Sequence, residues 1–494
     1  MAEPIDILLI NPGDRKQIYQ DLGDEFCGIE PPVFAGLFAT YVRQKGASAA
    51  IYDTPAMLVP AAEAARVAVE EYAPRLVVIP VYGFQPSAST QNMGSAGKIA
   101  RLIKEVRPDL PILMTGTHPA ALPKRTMQDE IVDFVCDGEG PVTIWKTFEA
   151  LKAGGRGYDT IPSLWWRDED GIIHAPSAHE ALISNLDGEM PGIAWDLLPM
   201  DRYRAHNWHC FSHIERRQPY ASMHTSLGCP FHCSFCCINA PFGKPSYRLW
   251  SPEVVVSEID FLVERYGVYN IKFVDEMFVL NKRHVAGICD LLAKRDYEVN
   301  IWAYGRVDTM HDELLDKLKA GGVNWICLGI ESASDYVRDG AEKAFTNQDI
   351  TDTVRRIQAA GIYIIGNYVF GLPDDSMERM QQTLGLAQDL NCEFANFYSA
   401  MAYPGSKLYD MAVEQGLELP REWHHFSQHG YETLPLANRF VSAADILGFR
   451  DQAWMTYFTE PKYLSIVRDK FGQNVVDHIG RMTQVPLKRK ILGQ

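Results

Sequence analysis

Five short apolar runs, at residues 5–10, 49–52, 76–81, 112–115 and 131–136, are separated by stretches such as 34–44 and 97–106, in which apolar side chains return every three or four positions. Runs this short suit strands buried on both faces, and the three-to-four spacing suits amphipathic helices. Residues 1–150 therefore predict an α/β unit, a Rossmann-like, doubly wound parallel sheet with helices on both faces. Residues 151–217 break the rhythm and read as a connector, in which "SLWWRDEDGIIHAP" predicts a small hairpin turning at "EDG". From residue 218 strand and helix alternate again. Strand-like runs at 220–226, 269–274, 299–304, 325–330, 362–370 and 394–401 are separated by helical stretches such as 252–266, and six such units predict a partial (β/α)6 barrel of the TIM type over 218–420. Residues 421–494 change character again, to helices rich in aromatics and His, and predict a C-terminal cap that closes the open side of the barrel.

Composition narrows the classes. A chain of 494 residues with 47% hydrophobic content supplies cores for two or three domains. Its mean hydropathy is −0.16, no apolar run reaches spanning length, and "MAEPIDILLINPG" has no basic region ahead of its apolar run, so neither a membrane span nor export is expected. With 47 Lys+Arg against 63 Asp+Glu the net charge is −16, which disfavours nucleic acid as a partner. The one basic stretch, "PLKRKILGQ", reads as a solvated tail.

Chemistry concentrates in "TSLGCPFHCSFCCINAPFG", where four of the ten cysteines fall within nine residues. Cys229, Cys233 and Cys236 stand as C-x3-C-x2-C, and Cys237 follows at once. No second ligand pair lies near enough for an obvious zinc site, and Cys233 with Cys236 reads as a redox dithiol only if Cys229 is ignored. Buried free thiols gathered by chance are the bland alternative. Three thiolates in one loop suit an iron–sulfur cubane better, with one iron left open. Cys237 reads as packing, because adjacent residues of an extended loop point opposite ways.

This loop, with Phe235 before its last cysteine and a strand ahead of it, resembles the cluster loop of radical S-adenosylmethionine (SAM) enzymes. The resemblance implies that Cys229, Cys233 and Cys236 hold a 4Fe-4S cluster whose open iron chelates SAM, and that the reduced cluster cleaves SAM to a 5'-deoxyadenosyl radical. Such a cluster needs a reducing compartment, so a cytoplasmic location and an electron donor such as flavodoxin or ferredoxin are expected. Polar residues follow the barrel strands, where barrel enzymes place their sites. Each acid taken singly also reads as a cap or an ion-pair partner. By resemblance, Glu276 of "FVDEMF" stands near the SAM amine, Arg306 of "WAYGRVD" pairs its carboxylate beside Tyr304, Glu331 of "LGIESAS" accepts the ribose hydroxyls, and Phe235 faces the adenine. A salt bridge from Arg306 to Asp308 or Glu331 is the alternative.

Ahead of the barrel, glycine and polar residues crowd the carboxyl ends of the predicted strands, where open α/β sheets bind ligands. Short strand-to-helix turns read the same way. The set "NPG … TGTHPAALP … CDGEGP" before a radical-SAM loop resembles the cobalamin domain of cobalamin-dependent radical SAM enzymes, and the match spans nearly the whole chain. It implies cofactor contacts at Asn11, Tyr82, Ser87, Ser89, Gly116, Thr117, His118, Gly138, Glu139 and Gly140. Thr115 and Pro141 stand where the family often has a second Gly and a second acid. The D-x-H-x-x-G of cobalt-ligating proteins is missing, and His118 reads as bordering the cofactor or capping a turn. Cobalamin is therefore expected without a protein His on cobalt. In the cap, His424, His425 and His429 read either as a metal group or as ordinary surface and core histidines.

The resemblance implies methylation of an unactivated carbon or phosphorus of a small molecule. Rearrangement, ring contraction or oxidative cyclisation shares every motif. A third reading, an iron–sulfur electron carrier or sensor, needs no SAM-binding set after the strands.

Overall fold

The computed structural model describes residues 5–83, 85–343 and 345–494; Phe84 of the Tyr82 loop and the first four residues lie outside these. The first sheet holds β1 (Ile7–Asn11), β2 (Ala49–Asp53), β3 (Leu76–Pro80), β4 (Ile112–Thr115), β5 (Phe134–Cys136), β6 (Leu164–Arg167) and β7 (Ile173–His174), in the order β2-β1-β3-β4-β5-β6-β7. β1 to β5 are parallel and buried on both faces. Ile7, Leu9, Leu76 and Val78 enter one core, while Leu8, Ile10, Val77 and Ile79 enter the other, as a doubly wound sheet requires. The sheet is not parallel throughout. The "EDG" hairpin adds β6 and β7 antiparallel to β5, so the sheet continues past residue 150.

The second sheet contains β8 (Tyr220–Met223), β11 (Asn270–Phe273), β12 (Asn300–Arg306), β13 (Val323–Glu331), β14 (Tyr363–Phe370) and β15 (Phe394–Ser399), all parallel and ordered β15-β14-β13-β12-β11-β8. β8 and β15 do not pair, so this is an open half-barrel. The run expected at 220–226 is two strands. β8 ends at Met223, and β9 (Ser226–Leu227) pairs antiparallel with β10 (Arg248–Leu249), because the chain turns away from the barrel at the cluster loop.

The connector is packed rather than loose. Trp208 stands edge-on to Trp302 and Trp325, 5.0 and 5.7 Å between centroids, and the His209 ring bonds the Asn300 carbonyl at 2.9 Å, so this segment plugs the barrel's amino-terminal end. Tyr203 donates to Asp53 of the first sheet at 2.9 Å, and one hydrophobic core runs through both sheets. The helices Ala443–Thr459, Pro461–Phe471 and Gln473–Thr483 lie beside β15, where Arg450 donates to the Phe397 carbonyl at 2.7 Å. They are not the lid. The loop ahead of them reaches the cavity instead, with Gln428 bonded to Ser399. No helix among the described residues is long and apolar enough to cross a membrane.

One ion pair binds the β5 loop to the cluster-loop hairpin. Arg248 of β10 donates to Glu139 at 2.6 Å and to the Ile183 carbonyl at 2.6 Å, and Glu139 is 2% exposed. Removing one partner of such a buried pair strands the other charge. Arg248→Met is expected to lower unfolding stability by about 3 kcal/mol, and adding Glu139→Leu should recover much of that loss, in anaerobic urea titrations. A loss below about 0.5 kcal/mol would show a solvent-screened pair.

Candidate active site

The cluster loop is anchored at its root. Asp275, buried after β11, accepts the Thr225 amide at 2.9 Å, the Thr225 hydroxyl at 2.8 Å and the Ser226 hydroxyl at 2.5 Å, fixing the chain as it leaves β8. Gly228 turns with φ +86°, and a Cβ there would stand 2.6 Å from the Ser246 carbonyl oxygen. The loop is then tied by Cys236 N–H to the Cys233 carbonyl at 3.0 Å and by Leu408 N–H to the Ser234 carbonyl at 2.9 Å.

Cys229, Cys233 and Cys236 line one cleft enclosing about 1290 Å³ of empty space at the carboxyl ends of the barrel strands. Their sulfurs do not close into a single-ion set; among the described residues only His424, His425 and Glu432 bring three donor atoms within 4.8 Å of one another. Three thiols spread around one cavity fit a polynuclear cluster. Burial pushes the Cys229 thiol up to about 12, so metal rather than the protein field must draw off its proton. Arg306 donates to the Cys233 sulfur at 3.4 Å and lies 4.0 Å over the Phe231 ring. Cys237 also borders the cleft but is buried, against the turn at Gly405.

The barrel-end residues converge on this cleft. Glu276, Tyr304, Arg306, Glu331 and Phe235 all line it. Burial drives the Glu276 carboxyl up to about 8, with Lys272 pulling against the shift and Asp275 adding to it. Arg306 makes a bidentate pair with Asp308 at 2.9 and 2.8 Å, the first of the two alternatives open from sequence. Glu331 pairs instead with Lys343, both buried. Glu331 has φ +66° at a register shift between β13 and β14, a strained position that turns its side chain toward the cleft. Gly329 leaves room for the pair, since a Cβ there would meet Glu331 Oε1 at 2.8 Å and Lys343 Nζ at 2.9 Å. Lys343, Gln428 and the Cys327–Asn367 contact at 2.9 Å were not legible in sequence, because none carries a motif.

The loops of the first sheet face the same space. Asn11, Tyr82 and Gly83 border a hollow at the switch between β1 and β3. Tyr82, Gly83 and Phe34 also border a second hollow with Thr117, and Gln85, Pro86, Ile238 and Glu276 border both that one and the cluster cleft. The three form a trench from one sheet to the other, and Ser87 lines its cluster end. Tyr82 stacks on Phe34 at 3.7 Å and donates to the Glu139 carbonyl at 3.1 Å.

Other expected contacts have internal partners. Asn11 donates to Asp53 at 2.8 Å, Ser89 donates to the Val81 carbonyl and accepts the His118 amide, and Glu139 is held by Arg248. Gly116 and Gly140 both turn at positive φ, and Gly138 lies against Ser163. His118 faces Trp423 edge-on at 4.4 Å and bonds Thr90 at 3.2 Å; burial holds its pKa at about 3. It borders none of the three hollows. In the cap, His424 and His425 both point at Glu432, 3.2 and 2.9 Å away, while His429 lies apart against Arg450.

Comparison with known proteins agrees with this arrangement. Residues 223–387 match the radical SAM superfamily and residues 19–145 match the B12 binding domain. The chain is 28% identical over 466 residues to an uncharacterized methyltransferase of Pyrococcus horikoshii, covering 94% of each. It is 25% identical over 409 residues to the anaerobic magnesium-protoporphyrin IX monomethyl ester cyclase of Rubrivivax gelatinosus, covering 82% of this chain and 69% of that one. The fold matches the radical SAM methyltransferase TsrM of Kitasatospora setae, solved with cobalamin and a [4Fe-4S] cluster, at a TM-score of 0.68 and 18% identity, over 93% and 90% of the two chains.

Two measurements test the site. Anaerobically reconstituted Cys237→Ala is expected to keep its iron and its SAM cleavage while Cys229→Ala loses both; the opposite pattern reverses the ligand assignment. Glu276 at about 8 holds a proton at neutral pH. If its carboxylate receives the SAM amine, binding releases that proton, so SAM affinity should rise between pH 6.5 and 8 by about one proton more than in Glu276→Gln and level off above. Parallel profiles for the two proteins would remove Glu276 from SAM binding.

Proposed function

Since this chain joins a B12-binding domain to a radical SAM domain and is a cobalamin-dependent radical SAM enzyme with a 4Fe-4S cluster, SAM and cobalamin as its cofactors, we propose that it methylates an unactivated carbon or phosphorus of a small molecule. The observation that carries this reading is the trench. The carboxyl ends of both sheets open onto it, with Gln85, Pro86 and Ser87 of the first sheet lining the cleft of Cys229, Cys233 and Cys236. Together the bound cofactors supply a hydrogen-abstracting radical at one end and a transferable methyl group at the other. A substrate held between them meets both without crossing solvent.

Within this reading the chain's own residues have distinct tasks. Cys229, Cys233 and Cys236 hold the cluster; Glu276, Arg306 and Glu331 receive the polar groups of SAM, and Phe235 its adenine. Tyr304, Val369, Tyr398 and Met401 present an apolar wall with the amides of Asn367 and Gln428 set into it, which suits a mainly apolar substrate with a few hydrogen-bonding groups. Water exclusion falls to the loop carrying Trp423 and Gln428. A one-electron donor such as flavodoxin or ferredoxin would serve the cluster.

The match to the cyclase of Rubrivivax gelatinosus supports a second reading, oxidative cyclisation without methyl transfer. Anaerobic turnover with substrate, SAM and reductant is expected to yield both 5'-deoxyadenosine and S-adenosylhomocysteine, with a product heavier by one methylene. Deoxyadenosine accompanied by a product of no added carbon would favour the second reading.

A further inference from the structure

His224 is the one residue of the trench whose chemistry the site leaves unused. It follows the last residue of β8, so the barrel rather than the first sheet supplies it. It is 8% exposed, and neither ring nitrogen has a hydrogen-bond partner of good geometry. A buried polar group left in this state costs about 1–3 kcal/mol, so a built site normally gives it a partner.

The ring borders the middle hollow of the trench, between the two sheets. Phe34 of the first domain stands edge-on to it at 5.3 Å, and Tyr82, Gly83 and Gln85 face it from the same side. Burial keeps the imidazole neutral, at about 3, with the Lys272 charge adding to the shift and the Ser226 backbone opposing it. A neutral imidazole offers one N–H donor and one nitrogen acceptor, the complement of a carboxamide. The corrin ring of cobalamin carries such amides around its edge. The hollow's aromatic wall of Phe34 and Tyr82, and the absence of a side chain at Gly83, fit the edge of a broad, flat ligand.

We propose that His224 is a cobalamin contact supplied in trans by the radical SAM domain, a hydrogen-bonding partner for a corrin side-chain amide rather than an axial ligand to cobalt. The choice against ligation rests on the methyl-transfer reading, because a nitrogen reaching cobalt from the barrel side would occupy the face on which the methyl must be presented. The contact makes cobalamin binding depend on both domains: the first sheet cradles the cofactor, and the barrel rim clasps its exposed edge.

The test uses the full-length protein with its reconstituted cluster and hydroxocobalamin as the probe. His224→Phe keeps the ring shape and removes both nitrogens, whereas His224→Gln restores a donor and an acceptor. Iron content and thermal midpoint serve as folding controls. His224→Phe is expected to bind hydroxocobalamin about tenfold more weakly by absorbance titration, and His224→Gln to recover most of the loss. Equal affinity in all three proteins would overturn the contact. Nitrogen superhyperfine splitting in the Co(II) EPR spectrum that disappears in His224→Phe would overturn the hydrogen-bonding role in favour of ligation, and would count against methyl transfer as well. A wild-type protein that takes up no hydroxocobalamin would overturn the contact by removing the cofactor itself.

Discussion

A lysine inside a barrel needs an anion, and here the anion comes from the other domain. Lys272 of β11 and Glu30 of the first domain meet at 2.9 Å with their side chains 1% and 5% exposed. Burial alone would raise the Glu30 carboxyl, but Lys272 and His206 more than reverse it, to about 2, so the glutamate is charged at any ordinary pH. His206, from the connector, bonds the other oxygen at 3.2 Å, and the Ser222 hydroxyl of β8 adds a further donor at 3.1 Å. Three parts of the chain thus satisfy one carboxylate. Separating the sheets would leave a bare ammonium and a bare carboxylate in a low-dielectric interior, a cost of several kcal/mol.

That constraint sets the geometry of the site. With Glu30 fixed against β11, the carboxyl ends of the two sheets open onto one trench instead of onto solvent, and residues of the β3 loop reach the cluster cleft. Arg248 and Glu139 make a second buried tie on the opposite flank, and the packing of Trp423 against His118 makes a third from the C-terminal loop. The charges nearest the chemistry are paired in the same manner. Arg306 is aligned by Asp308 and Glu331 by Lys343, so each enters the cleft already oriented. Glu276 differs: burial without a strong counter-charge leaves it protonated at neutral pH and ready to accept a cation.

Much of the fold was legible because it is local. A strand buried on both faces announces itself as an apolar run, and each of the eleven runs expected as strands contains a strand, although the first barrel run divides into β8 and β9. The cluster cysteines were legible for the same reason, since three ligands within eight residues need no long-range folding to meet. Asp275 and Glu276 show the limit of such reading. They are adjacent acids at one strand end, but the first anchors the loop backbone and the second faces the cavity, a division made by side-chain direction.

By itself the sequence determined the two α/β units, their order and the chemistry of the cysteine loop, because each depends on neighbours a few positions apart. Only the tertiary structure decided which charges pair across the interface, that His118 is walled off by Trp423 while His224 faces the trench, that the cap histidines turn to Glu432, and that a loop rather than the helices reaches the cavity. Glu30 and Lys272 lie 242 positions apart. Nothing in either local pattern specifies the other, and they find each other only because the folded core excludes the water that would otherwise solvate both.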